Sequence, residues 1–407
     1  MKFGVYIHIP YCLQICPYCD FTKYEYGKIM PPEKYVELLA SEIRLRSSDI
    51  PVKDLDTVYF GGGTPSLFEP RFILAILDEL AKAGFRIKDD AEMSIEIDPA
   101  TVDQSRLDEY KRTGFNRYSV GAQTFNSRLL KIAGRKHTAE DTVKLLTLLK
   151  KNGVNYSFDL LFALPTQTLE ELRADVVTAL SFEPSHLSAY CLTVPNGHPM
   201  SIGRAPDEEQ VMMFDLIETE LEKKGILRYE ISSYAKPGSE SKHNMLYWTD
   251  QAYWGLGAGA HSYFPPGFSS TVDSTAPWGL RFWNAPSLTA YEREIKSWNR
   301  PSWSFVRDLP EHEREFLEKH QSLTDFCHTS LRLVRGLEMN ALRLKFGEAT
   351  EWAVTKELQA LEAEHLVFRT PAGWALTAKG RALANVVFER LTFLREDLPE
   401  NRPTSTN

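Results

Sequence analysis

The chain of 407 residues is long enough for two or three domains, or for one large α/β domain with an appendage. With 43% hydrophobic and 25% charged residues, the composition is typical of a folded globular protein and excludes a fibrous or low-complexity chain. The formal net charge of −8 argues against a general nucleic-acid binder, because such a protein needs a basic surface to displace counterions from phosphates.

The first residues, Met-Lys-Phe-Gly, lead straight into an apolar segment without the pattern of a secretory signal, so we expect a cytoplasmic protein. No apolar run approaches the length of about 20 residues that a bilayer span needs. In a reducing compartment, Cys191 and Cys327 are predicted to be thiols and not a disulfide.

Strands and helices alternate along the first half of the chain. Strands are predicted at 4–9, 55–60, 92–97, 117–120, 156–161 and 186–192, and helices at 32–47, 70–83, 102–112, 139–151 and 169–180. This alternation predicts parallel strands joined by right-handed crossovers, either in an open doubly wound sheet or in a barrel. Glu96, Gln123 and Asp159 lie at or near strand ends, where a parallel barrel assembles its active site, so we favour a six-stranded partial barrel.

The second half is less regular. A helix is predicted at 207–224 and a strand at 228–232, whereas 234–299 reads as irregular. After a boundary near 307, helices at 311–336, 339–346 and 350–364, a two-stranded piece around 370–374 and a helix at 378–394 form the outline of a winged helix. The predicted domains are a barrel (1–225), a barrel extension (226–306), a winged-helix-like domain (307–396) and a disordered tail (397–407).

Three of the five cysteines, Cys12, Cys16 and Cys19, fall in one Cys-x3-Cys-x2-Cys run directly after the first strand. A structural zinc site needs four ligands, and a second pair is missing. His8 is a poor fourth ligand because it alternates with apolar residues in the strand pattern. An iron-sulfur cube held by three cysteines fits better and leaves one iron open. Buried structural thiols are the alternative, which the clustering within eight positions disfavours.

With Tyr18 in the aromatic place, the run reads Cys-x3-Cys-x-aromatic-Cys and resembles that of the radical S-adenosylmethionine (SAM) family. The resemblance implies a partial (β/α)6 radical SAM barrel in which the open iron of a 4Fe-4S cluster chelates SAM, and electron transfer then generates a deoxyadenosyl radical. It also implies cofactor contacts from residues at matching positions. These residues are Tyr6, Tyr18, Gly62, Gly63, Thr64, Glu96, Gln123, Arg135 and Asp159.

Several of these residues also have ordinary structural interpretations. Gly61 to Thr64 reads equally as a tight strand-to-helix turn, Arg135 as a solvated surface residue and Asp159 as a cap. Glu96 lies inside an apolar strand, so it needs a partner, which the resemblance puts at the ribose hydroxyls of SAM. Some relatives use part of this set to hold a second SAM. The family usually has a glycine where this chain has Ala163, which predicts a tightened site.

Over nearly its whole length the chain is similar to the branch of the family that contains oxygen-independent coproporphyrinogen III oxidases and heme chaperones. The oxidases have an N-terminal extension and a fourth cysteine, and here the strand begins at once and Phe21 takes the cysteine's place. The chaperones carry His-Asn-x-x-Tyr-Trp, which matches His243 to Trp248. The resemblance therefore implies a heme chaperone that binds the cluster, SAM and heme.

The implied partners are heme and apo-hemoproteins such as respiratory enzymes, with peripheral membrane association through these recipients. His243 and His261 are the candidate axial ligands of heme, since both lie in an aromatic-rich and glycine-rich region. The alternative function is oxidative decarboxylation of coproporphyrinogen III to protoporphyrinogen IX. A zinc-bound module that uses the winged helix on nucleic acid is a third hypothesis, which the acidic charge disfavours.

Overall fold

The computed structural model describes residues 1–195, 197–298 and 303–398. Its strands, in chain order, are β1 Phe3–Ile9, β2 Tyr11–Cys12, β3 Tyr24–Glu25, β4 Asp54–Gly62, β5 Arg86–Ile97, β6 Arg117–Gln123, β7 Tyr156–Phe162, β8 His186–Cys191, β9 Leu227–Arg228, β10 Ser233–Ala235, β11 Ala252–Leu256, β12 His261–Phe264, β13 Leu280–Trp283, β14 Arg314–Phe316, β15 Leu337–Glu338, β16 Val367–Arg369 and β17 Gly373–Leu376.

Helices connect most of these strands. In chain order they are α1 Pro32–Arg46, α2 Pro70–Lys82, α3 Gln104–Thr113, α4 Ser127–Ile132, α5 Ala139–Lys151, α6 Leu169–Ser181, α7 Asp207–Glu222, α8 Lys242–Trp248, α9 Ser270–Asp273, α10 Leu288–Ser297, α11 Lys319–Arg332, α12 Met339–Phe346, α13 Glu348–Ala363, α14 Ala378–Ala382 and α15 Ala384–Arg390.

Twelve strands form the main sheet in the order β14-β13-β12-β11-β1-β4-β5-β6-β7-β8-β10-β9. The six predicted strands β1, β4, β5, β6, β7 and β8 are neighbours and run parallel, which confirms the α/β partial barrel. Strand β11 adds a seventh parallel strand beside β1, and antiparallel strands extend both ends. No pairing among the described strands closes the sheet into a full barrel.

Local sequence explains why the parallel unit forms. Strand β1 is apolar and buried on both faces, as a central parallel strand must be when helices cover the sheet. Helices α5 and α6 each begin with a capping box, in which Thr138 pairs with Asp141 and Thr168 pairs with Glu171. Each of these helices therefore starts where a polar cap precedes the apolar periodicity. The helical crossovers place the C-terminal ends of the parallel strands on one side of the sheet.

The region predicted to be irregular, 234–299, is instead well structured over its described part, 234–298. It supplies α8, β11, β12, α9, β13 and α10, and this prediction was wrong because strands of four or five residues carry little periodicity. The predicted strand 228–232 is also wrong: β9 and β10 are antiparallel neighbours joined by a turn at 229–232. Within the described residues, none of the helices combines the length and hydropathy that a bilayer-crossing helix requires.

A second core lies in the C-terminal part of the chain. Leu323, Cys327 and Leu331 recur at a spacing of four on α11 and pack with α12, α13 and the small β15-β17-β16 sheet. This arrangement agrees with the winged-helix outline. Helix 311–336 was predicted too long, because Arg314–Phe316 pairs with β13 in the main sheet. The last predicted helix is divided into α14 and α15.

The two cores separate between Leu309, in the main core, and Leu323, in the second. The predicted domain bounds themselves stay a prediction. Of the predicted disordered tail, residues 399–407 lie outside the described residues.

Candidate cofactor site

The three clustered cysteines line one cleft at the end of the first strand. Cys12 is buried at the end of β2, whereas Cys16 and Cys19 are partly exposed on the loop that follows, and all three are free thiols. The cleft has an empty volume of about 530 Å³. Three free thiols that line one cavity fit an iron-sulfur cluster, which thiolates bind directly.

The cysteine loop is held by hydrogen bonds to its own strand and to a distant segment. The Nε2 of His8 donates to the carbonyl oxygen of Thr22 at 2.7 Å, and Tyr6 Oη lies 2.9 Å from His8 Nδ1. Burial lowers the pKa of His8 to about 4, so its imidazole is neutral and bridges the two groups. The loop is also tied to the segment after α4, because Lys136 Nζ donates to the carbonyl oxygen of Leu13 at 3.1 Å.

The glycine-rich turn after β4 packs directly against this loop. Gly62 has φ +118°, and a Cβ placed there would lie 2.5 Å from the ring of His8. A Cβ on Gly63 would lie 2.9 Å from the Cys12 sulfur. Glycine is therefore required here by the packing of the protein itself. Gly63 and Thr64 line the cysteine cleft, and the hydroxyl of Thr64 is hydrogen-bonded to Cys12.

Arg135 is the main cation of the cleft. Its side chain is only 17% exposed, and its Nη2 donates to Asp98 at 2.7 Å. Its Nη1 points to the Cys16 sulfur at 3.9 Å. Burial opposes the guanidinium charge, but Tyr18, Asp98 and Cys16 more than compensate and raise the pKa of Arg135. The interpretation of Arg135 as a solvated surface residue was therefore wrong.

Asp98 is a site residue that the sequence analysis missed. Burial raises its pKa, but hydrogen bonding to His137 and the charge of Arg135 outweigh this effect, so the pKa of Asp98 is lowered and the carboxylate is ionised. The position of Asp98, immediately after strand β5, is the sequence feature that could have identified it as a site residue. Tyr18 lies in the same cleft, where burial raises the pKa of its hydroxyl despite the nearby charge of Arg135.

The interior of the partial barrel holds two partly buried acids near the glycine turn. Glu96 accepts hydrogen bonds from the Tyr59 hydroxyl and the Gly62 amide, each at 3.0 Å. Burial and the neighbouring Asp159 raise the pKa of Glu96 to about 7, and burial raises the pKa of Asp159 to about 6. Both acids line a polar cavity with an empty volume of about 340 Å³, together with His186.

Gln123, at the end of β6, has φ +63°, a left-handed conformation that is unusual for a residue with a side chain. Ala163, just past the end of β7, has φ +57° and is fully buried. Backbone strain of this kind clusters at functional sites. Ala163 therefore occupies a left-handed position that favours glycine, the residue that the family resemblance predicts there.

The two candidate heme ligands have different environments. His243 is 1% exposed, and both of its ring nitrogens are occupied, Nδ1 by the Thr57 hydroxyl at 2.7 Å and Nε2 by the Tyr247 hydroxyl at 2.8 Å. Burial lowers the pKa of His243 to about 3. His261 is exposed on β12 and stacks on Trp283 at 5.7 Å between ring centroids. Only His261 offers a reachable ring nitrogen in this conformation.

Comparison with known proteins now adds to this geometry. A family model described as the radical SAM superfamily matches residues 6–177. The heme chaperone HemW of Bacillus subtilis (strain 168) is 31% identical over 393 residues, which cover 95% of this chain and 98% of that protein. The chain belongs to the HemW family. HemW of Lactococcus lactis subsp. lactis (strain IL1403) is 30% identical and covers 97% of this chain and 98% of that protein.

Among solved structures, coproporphyrinogen III oxidase (HemN) from Escherichia coli, described as a radical SAM enzyme, superposes with a TM-score of 0.78. The match covers 96% of this chain and 90% of that one at 21% identity, so it shows a shared fold. In this HemW-family chain, the residues predicted for the cofactors divide into two groups. Cys12, Cys16, Cys19, Tyr18, Gly63, Thr64 and Arg135 line the cysteine cleft, and Glu96 and Asp159 line the polar cavity.

Tyr6 and Gly62 connect the two groups. Tyr6 is hydrogen-bonded to the His8 ring, and the Gly62 amide donates to the Glu96 carboxylate. Gln123 is placed at the end of β6, near the guanidinium of Arg135.

Proposed function

We propose that this protein is a heme chaperone that carries a 4Fe-4S cluster and SAM, binds heme and delivers it to apo-hemoproteins. The observation that carries the proposal is the single cleft in which three free thiols meet the glycine-rich turn and Arg135. Membership of the HemW family supports the heme part of the proposal, because the relatives are named heme chaperones.

Cys12, Cys16 and Cys19 would hold the cluster, leaving one iron for SAM. When bound, the cluster supplies one-electron chemistry and an open coordination position. Arg135 contributes a largely buried positive charge and a hydrogen bond to the Cys16 sulfur, so it would act on the cluster that this cysteine holds. Asp98 orients Arg135 by the ion pair at 2.7 Å.

The residues beside the cysteines would hold SAM. Gly63 and Thr64 line the cleft, where Gly63 adds no side-chain bulk and Thr64 offers its hydroxyl, and the amide of the adjacent Gly62 donates to Glu96. Glu96 is fixed by two hydrogen bonds and can accept others on the remaining lone pairs of its oxygens, which suits ribose hydroxyls.

His261 is the better heme ligand of the two candidates. The residue is exposed to solvent. Partial burial of the ring, together with the charge of Arg281, lowers the pKa of His261, so the imidazole is neutral as iron ligation requires. Trp283, stacked against His261, offers an aromatic wall for a porphyrin. We propose that the recipients are apo-hemoproteins such as respiratory enzymes, reached from the cytoplasm, and that any membrane association arises through them.

Heme titration of the anaerobically reconstituted protein tests the ligand. We expect a saturable Soret band that is weakened in His261→Ala and retained in the control His365→Asn, which changes an exposed histidine in the C-terminal part of the chain. His243→Ala should unfold more easily without losing the band, because its ring holds two structural hydrogen bonds. An unchanged Soret band in His261→Ala would exclude His261 as the heme ligand. Absence of the band in the wild-type protein would exclude the proposed chaperone function.

The competing activity is oxidative decarboxylation of coproporphyrinogen III. Phe21, exposed on the cysteine loop, stands where the oxidases have a fourth cysteine, which disfavours this activity. Anaerobic incubation with coproporphyrinogen III, SAM and a reductant is the direct assay. Formation of protoporphyrinogen IX over many turnovers would replace the chaperone function with the oxidase function.

A further inference from the structure

Three side chains with metal-ligating atoms converge outside the cysteine cleft. Glu294 lies on helix α10, and His312 and Glu313 lie in the short 3-10 turn Glu311–Glu313 that leads into strand β14. One ligand atom of each residue lies within 4.8 Å of the others. His312 Nε2 is 3.8 Å from Glu313 Oε1. Two separate elements thus bring two carboxylates and an imidazole together at the edge of the main sheet.

An independent observation shows that this cluster needs a ligand. The side chain of Glu313 is only 3% exposed, and in the part of the chain that the structure describes, its Oε2 has no hydrogen-bond partner. A buried carboxylate oxygen without a partner is unfavourable, and a bound cation is one of the few groups that satisfies it.

The cluster has an excess of negative charge that a divalent cation would balance. Arg46 is buried and donates to Glu42 at 2.6 Å, so these two charges compensate each other. The Arg46 guanidinium also lies over the ring of Trp298 at 4.6 Å. Glu294 and Glu313 remain as two excess negative charges when both are ionised. His312, whose side chain is 81% exposed, provides the solvent side of the cluster.

We propose that Glu294, His312 and Glu313 form a binding site for one divalent transition-metal ion. Imidazole and carboxylate donors together suit Zn²⁺ or Mn²⁺, and water would complete the coordination on the exposed side. The ion joins α10 to the turn before β14, so it fixes the last strand of the main sheet near the point where the chain enters the second core. This site is independent of the cluster, SAM and heme.

The proposal is tested by titrating the cluster-loaded protein with Mn²⁺ and recording the electron paramagnetic resonance signal of the free ion. With its cysteines occupied by the cluster, the protein is expected to bind one Mn²⁺ per chain and to unfold at a higher temperature when it does. Zn²⁺ is expected to compete for the same position. His312→Ala should weaken binding tenfold or more, and because His312 is exposed, the variant should unfold like the wild type without metal.

Glu311→Gln is the matched control, since Glu311 is the exposed neighbour of His312 and outside the cluster. It should bind Mn²⁺ as the wild-type protein does, and Glu294→Gln should lose binding. If Glu294 and Glu313 only share a proton, the wild-type protein will show no saturable binding of Mn²⁺ or Zn²⁺, which overturns the proposal. Equal loss in Glu311→Gln and His312→Ala would also overturn it, by showing a nonspecific surface effect.

Discussion

Gly62→Ala tests whether the glycine-rich turn is required by the packing of the protein, before any cofactor is bound. The new methyl group would lie 2.5 Å from Cε1 and 2.6 Å from Nδ1 of His8. His8 has no room to yield, because Nε2 is tied to Thr22 and Nδ1 to Tyr6. The substitution therefore forces the ring to leave both hydrogen bonds or forces the strand end to move.

The magnitude follows from two contributions. A left-handed backbone costs a non-glycine residue about 1–2 kcal/mol, and Gly62 has φ +118°. Each of the two His8 hydrogen bonds contributes about 1 kcal/mol of net stability, and more if a buried partner is left unpaired. We therefore expect Gly62→Ala to lower the free energy of unfolding by about 3–4 kcal/mol.

Gly27→Ala is the matched control because it separates the two contributions. Gly27 has φ +72°, and a Cβ there would meet no atom within 4 Å. Only the backbone cost of about 1–2 kcal/mol applies at this position. Equilibrium urea denaturation of both variants without cofactors, under reductant, measures the difference. Equal destabilisation of Gly62→Ala and Gly27→Ala would refute the steric reasoning.

Three further changes give distinct outcomes. Arg135→Gln removes a buried cation near the Cys16 sulfur, so the cluster should become harder to reduce by roughly 60 mV, equivalent to a tenfold change for a one-electron couple; a redox titration measures this. Ala163→Gly relieves a left-handed alanine and should stabilise the protein by about 0.5–1 kcal/mol in urea denaturation, after the entropy cost of glycine is subtracted. Glu96→Gln should remove a pH dependence of stability, because folding raises the pKa of Glu96 to about 7. The stabilisation from the protonated Glu96 is lost as pH rises from about 4.5 through 7. The free energy of unfolding of the wild type, relative to the variant, should therefore fall by about 3 kcal/mol over that range.

The parallel strands and the cysteine site were predictable because their signals are contiguous in sequence. The six strand-helix units repeat at regular intervals, and Cys12, Cys16 and Cys19 lie within one loop. The parallel strand β11 and the antiparallel strands β12 to β14 were missed, since they are short and are joined by turns of irregular length. The Asp98–Arg135 pair was missed for a different reason: its partners are 37 residues apart and meet only where strand ends converge.

The structure also changes the meaning of a motif that the sequence did identify. His243 to Trp248 forms the short helix α8, and His243 points into the barrel, where it stacks on Tyr59 at 5.0 Å and binds Thr57. Sequence pattern alone cannot distinguish a metal-ligating histidine from one whose ring nitrogens are both hydrogen-bonded inside the fold. Burial and partners make that distinction.

The segment after α4, residues 134–136, links the cysteine loop to the barrel. Lys136 bonds Leu13, Arg135 reaches the Cys16 sulfur, and a Cβ on Gly134 would lie 2.7 Å from the Pro17 ring. Arg135 is fixed in turn by Asp98 at the end of β5. The position of Cys16 thus depends on the 134–136 segment and on the end of β5, neither of which is adjacent to it in sequence, so displacement of the 134–136 segment would move a cysteine and the charge beside it together.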